Sequence, residues 1–232
     1  MDESIAGLAV ASTVFVGSHF LMSHPLRKTI ISMIGEKLFP VFYSLVAIGT
    51  MAWMIYAYSK APYYPLWPML TDYIVVMKIV MVVSMIFVFG GLMRNPAMHS
   101  DKDTLKSQSL GQGIYATTRH PLLWGLALWA ISHGLFRGDA AMLILCIAIL
   151  ALALIGAHMQ DLKKEKLLGA DWKHYESLTS YWPLKVQITG KRSWKSIWPG
   201  FAPIMGGIGL FLIIQALHSK YIGGAPALFA LG

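Results

Sequence analysis

A bundle of about six membrane-spanning helices is the all-α fold that this sequence predicts, and three observations predict it. Of 232 residues, 56% are hydrophobic and 13% charged, about half the charge of a soluble domain. Six apolar runs are long enough, or nearly so, to cross about 30 Å of hydrocarbon: 5–22, 39–58, 71–93, 121–136, 140–158 and 201–217. Lys and Arg gather on alternate loops, so the runs cross from side to side. A bilayer requires each spanning segment to pair its own backbone polar groups, so such runs read as helices; the alternating strands of a barrel are absent. This composition excludes disorder, a fibrous rod and an ordinary soluble enzyme. The lone Cys146 excludes a disulfide and a CxxC metal site. The length fits one membrane domain, 1–232.

The first span follows Asp2 and Glu3, where a secretory leader carries Lys or Arg, so it reads as a retained span. Loop 23–38 holds Arg27, Lys28 and Lys37; the second and third spans follow, with Lys78 inside the third. The loop at 95–118 is polar and turn-rich. Span four is short and becomes long enough if 114–120 continue it as helix. Pro121 suits its first turn, and Gly125 permits close helix approach. Asp139 reads as the N-cap of span five. That span is expected to continue through DLKKEKLL and break near Gly169. WKHYESL then predicts a short amphipathic helix stopped by Pro183, inside a cytoplasmic segment at 159–200 that precedes span six.

Loops after spans one, three and five hold fifteen of the nineteen Lys and Arg, while Lys60, Arg137 and Lys220 alone face the other side. The positive-inside rule then puts both termini outside and the basic loops in the cytoplasm of an inner membrane. The net charge of +8 is therefore a one-sided coat whose partner is an anionic leaflet. It does not require nucleic acid.

Histidine is the main chemical feature. Six of eight lie within or at the end of a span: His19, His24, His120, His133, His158 and His218. Polar groups at membrane depth are expensive and mark candidate functional sites; histidines near helix ends also sit hydrogen-bonded and idle in the headgroup region. The topology brings His19, His24, His120 and His158 to the inner boundary, with Asp161 one turn beyond His158. Imidazole suits iron, zinc and copper, and haem iron is held by histidine. Arg119, beside His120, can clamp a propionate or phosphate or serve the charge asymmetry alone.

Several strings carry a family resemblance: VGSHFLMSHPLRKTI with GEKLFPVFYSLVAIG, RHP…G…LWAISH…GD, QDLKKEKLLGADWKHYESLTSYWPLKVQITGKR, and ALHSKYIGGAP. They resemble the NnrU family, whose relatives include the plant 15-cis-zeta-carotene isomerases, over nearly the whole chain. The resemblance implies a multispan cytoplasmic-membrane protein associated with denitrification and nitric oxide. Through the carotenoid relatives it implies a haem b with histidine ligands, whose reduced iron serves isomerisation of a hydrophobic polyene. The positions matching those ligands are His19 and His133, and His120 matches a further signature histidine. By depth alone, at about 1.5 Å per residue, His19 pairs better with His120 or His158, so His120 stays a competing ligand.

A second resemblance runs to membrane methyltransferases such as isoprenylcysteine carboxyl methyltransferase, through RHP, Glu165, Leu168, Gly169, Trp172, Tyr175 and Pro183. It implies S-adenosylmethionine held near His120 and Glu165. Lys164 stands where one of a Glu pair is usual, and the chain continues through ITGKR into a sixth span, as NnrU proteins do.

Overall fold

The computed structural model describes residues 3–93, 95–96 and 110–221, with side chains to 218. Arg94, Lys102, Lys106, most of the loop at 95–118 and the tail after Tyr221 lie outside the described residues. Ten α-helices are described, in the order α1 Glu3–Ser23, α2 Arg27–Ile34, α3 Phe39–Lys60, α4 Ile74–Leu92, α5 Ile114–Thr117, α6 Pro121–Arg137, α7 Ala140–Leu168, α8 Ala170–Leu178, α9 Lys185–Ile188 and α10 Phe201–Tyr221. Short 3-10 turns precede α4 at Thr71–Tyr73 and α10 at Trp194–Ile197. Five helices are long and apolar enough to cross a membrane: α1, α3, α4 with its leading turn, α7 and α10. The remaining predicted span, α6, has 17 residues, the lower limit for crossing. The protein is a helical membrane protein.

One expected helix boundary moves, for a physical reason. Residues 114–120 do not lengthen span four. Thr118 is extended at φ −157°, and the backbone here bonds elsewhere. The Arg119 amide donates to Ser180 O (2.9 Å) and the Leu184 amide to Thr117 O (2.8 Å). The helix α8 ends at Leu178, the last residue of the WKHYESL string, with Thr179 extended and its hydroxyl donating to Tyr175 O at 2.7 Å. The continuation of span five is as expected: α7 runs to Leu168 and breaks at Gly169, whose φ of +54° suits glycine.

The described residues form two compact units, one within 1–70 and 133–152 and one within 71–132 and 153–232. In the first, α1 packs on α3. Its buried stripe is Ile5, Leu8, Ser12, Phe15 and Met22, alternate steps of three and four residues that keep one helix face inward. Ile5, Leu8, Ala11 and Phe15 meet Met54, Ala141 and Ala148 in one core cluster. The loop after α3 is pinned to the start of α7: Leu66 N–H donates to Gly138 O at 2.7 Å, and Ala140 N–H to Tyr64 O at 3.0 Å. Asp139, 1% exposed, caps α7 as expected. One carboxylate oxygen accepts from Met142 N–H at 3.0 Å and the other from Arg137 Nε at 2.6 Å. Asp139→Ala is expected to lower stability by about 1–2 kcal/mol, the range for a lost cap, as a fall in the thermal midpoint of the detergent-solubilised protein; an unchanged midpoint refutes the assignment.

In the second unit, α4 packs against α10 and α6 through small residues, as helices do where lipid removes the hydrophobic drive to associate. A Cβ at Gly207 would stand 2.5 Å from the Ile86 Cα. At Gly125 it would stand 2.8 Å from Ser84 O and 2.9 Å from Val88 N. The backbones touch there, and the Ser84 hydroxyl donates to Gly125 O at 2.7 Å.

Candidate functional site

Each unit holds part of the histidine chemistry, and the two parts differ in kind. In the first unit His19 occupies the next place on the buried stripe of α1, between Phe15 and Met22. It is half-buried. Its ring meets Phe15 edge-on at 4.6 Å between centroids, and Tyr43 of α3 at 5.5 Å. Its Nδ1 lies 2.7 Å from Phe15 O. A carbonyl only accepts, so Nδ1 carries the proton, and a neutral ring then keeps its lone pair on Nε2. This backbone bond is the usual means of fixing a metal-ligating histidine in one tautomer and orientation. His133 belongs to the same unit, half-buried and one turn before the end of α6. His24 is half-buried, with Nδ1 2.9 Å from the Ser23 hydroxyl.

The second unit builds a charged cluster. The apolar run of α7 ends near His158, but its inward stripe continues at Ala153, Ala157, Asp161, Lys164 and Leu168. Asp161 is therefore carried into the interior at 5% exposure. His120, just before α6, is 1% exposed, and its Nε2–H donates to Asp161 Oδ1 at 2.7 Å. Arg119 Nε donates to both Asp161 oxygens at 2.9 and 2.8 Å. Its Nη2 bonds Asp161 and also reaches Glu176 of α8 at 3.3 Å. Burial pushes the Glu176 carboxyl above the usual range, and the Arg119 guanidinium pulls it back only in part. Around the cluster, Trp124 and Tyr181 stand at 6.2 Å and Trp124 and Trp182 at 5.4 Å. The Trp124 indole N–H donates to Tyr181 O at 2.8 Å, and the Tyr181 hydroxyl to Leu154 O at 2.7 Å.

The structure thus places His19 and His133 in one unit and His120 and Arg119 in the other. His158, on α7 in the second unit, is exposed. Among the described residues no group of three or more His, Cys, Asp or Glu is arranged to hold a metal ion. His120 and Glu165 have different partners: Glu165 pairs with Lys173 at 3.2 Å, on the exposed side of α7. The sequence reading missed Glu176 and understated Asp161. The stripe at 153, 157 and 161 was the available signal, since a carboxylate on a buried helix face needs a cation.

A family model described as NnrU protein matches residues 7–226. No curated protein and no solved structure matches the chain.

Proposed function

The chain belongs to the NnrU family, and from that premise we propose that it is a haem-b-binding protein of the inner membrane, in which His19 and His133 would hold the group. Haem there would serve the redox-dependent isomerisation of a hydrophobic polyene. One observation carries the proposal: the Nδ1–H bond from His19 to Phe15 O, which holds Nε2 with its lone pair outward. His19 suits one side of such a group, because its bond to Phe15 O leaves Nε2 as the nitrogen that would meet iron. When bound, haem would supply an iron that exchanges one electron at a potential that its histidine ligands help to set. This chain's part is to orient and shield. Phe15 O fixes the His19 tautomer, and the Phe15 and Tyr43 edges restrain its ring. The packed faces of α1 and α3 limit water around it. His120 is the weaker ligand, because its Nε2 is bonded to Asp161, and Arg119 is committed to two carboxylates and poorly placed to clamp a propionate.

In this reading both termini lie outside and 159–200 in the cytoplasm, on the side where Lys and Arg gather. A second reading, an accessory in nitric oxide metabolism and denitrification, uses the same histidines and is separated by experiment. The full chain, expressed with ample haem and purified in mild detergent, is expected to show a Soret band that shifts on reduction. Conversion of a cis-polyene only after reduction supports the isomerase; a nitric oxide spectrum without conversion supports the accessory. No Soret band overturns both, and calorimetric binding of S-adenosylmethionine would then favour methyl transfer.

A further inference from the structure

The segment between α8 and α10 is polar enough to lie in water as a loose loop, yet it is firmly tied down. The Leu184 amide donates to Thr117 O and the Gly113 amide to Ser196 O, each at 2.8 Å. The Gln187 side chain, 3% exposed, donates to Ala116 O at 3.0 Å. Arg192 donates to Gly111 O and to Leu178 O. Leu184 holds a φ of +63°, a conformation that costs a branched side chain and persists only when its surroundings fix it.

What this fixed segment shows to the outside is unusual for water. Ile188 is 72% exposed, Trp194 55% and Trp198 58%. Among them stand Lys185, Lys191 and Lys195, all exposed; among the described residues none of the three is in an ion pair. Lys185 and Ile188, three residues apart on α9, share a helix face. The Trp198 ring meets Phe201 at 5.7 Å, which joins the segment to the first residue of the membrane-length helix α10. Tryptophan at the end of a span suits the headgroup level, and lysine there suits phosphate.

We propose that residues 185–198 form a preorganised ledge for anionic phospholipid headgroups. The three lysines take the phosphodiester charge, while Ile188, Trp194 and Trp198 enter the boundary between headgroups and acyl chains. Positive charge inside requires only lysines near the membrane. A rigid ledge with tryptophans between them binds particular lipids. This inference does not rest on haem.

The test is lipid retention by the full chain, read by native mass spectrometry after titration with phosphatidylglycerol or phosphatidylcholine. The unmodified protein is expected to retain phosphatidylglycerol preferentially, and to lose it as salt rises. The triple change Lys185→Gln, Lys191→Gln, Lys195→Gln is expected to weaken retention by on the order of a hundredfold, given the usual contribution of each near-surface lysine. A control with the same charge change at exposed Lys28, Lys166 and Lys173 is expected to stay within about twofold. Equal retention of both lipids by the unmodified protein overturns the ledge. So does equal loss in the two triple variants, which would leave only a diffuse charge effect. Trp194→Ser with Trp198→Ser checks the apolar half independently and is expected to weaken retention at any salt.

Discussion

Replacing Asp161 by alanine is expected to cost about 3–5 kcal/mol of stability, the range for removing one partner of a buried ion pair. Asp161 accepts from both Arg119 and His120, and its side chain is 7% exposed, against 12% for Arg119 and 1% for His120. Without it the guanidinium keeps only Glu176, at 3.3 Å, and the His120 N–H loses its acceptor away from water. Asp161→Asn keeps the shape and one acceptor, so it is expected to cost less. Replacing Arg119, His120 and Asp161 together by apolar residues of similar volume is expected to recover much of the loss, because an apolar cluster does not bear the cost of desolvating charge. Unfolding in mixed micelles, followed by tryptophan fluorescence, reads all three. Asp161→Ala within about 1 kcal/mol of the unmodified protein would mean that the cluster is hydrated and not a clasp.

His19→Ala is expected to abolish haem binding while leaving the protein folded. A half-buried ring is lost near the end of the α1 stripe, and the core from Ile5 to Phe15 remains in place. Added imidazole is expected to restore part of the Soret band in His19→Gly, since the lost group is a nitrogen lone pair and not a packing volume. A purely structural role for His19 predicts no such rescue.

Helix ends and crossings were legible where one residue type decides them. Gly169 ends α7 because only a residue without Cβ accepts that turn cheaply. Asp139 caps α7, and Gly125 marks the crossing with Ser84, for equally local reasons. The misplaced boundary was decided from a distance. Helix fails between Thr117 and Pro121 because residues 180–184 take over the backbone bonding of that stretch, and nothing within 114–120 announces it. The same limit hid the cluster. Arg119 and His120 read as cofactor groups because their carboxylate lies about forty positions away, visible only through a buried stripe that continues past the apolar run of α7. His19 was legible as a candidate from its GSH string. Its tautomer follows from Phe15 O, which only the helix brings into reach.

The two histidines have separate work under the proposed function: His19 would hold the cofactor, while His120 closes a clasp with Asp161. Haem per polypeptide tests it most directly, taken from the Soret absorbance of His19→Ala and His120→Gln purified side by side from cells with the same haem supply, after size-exclusion has shown each to be folded. The account predicts no haem in His19→Ala and near-normal haem in His120→Gln. Full haem in His19→Ala with loss in His120→Gln would contradict it.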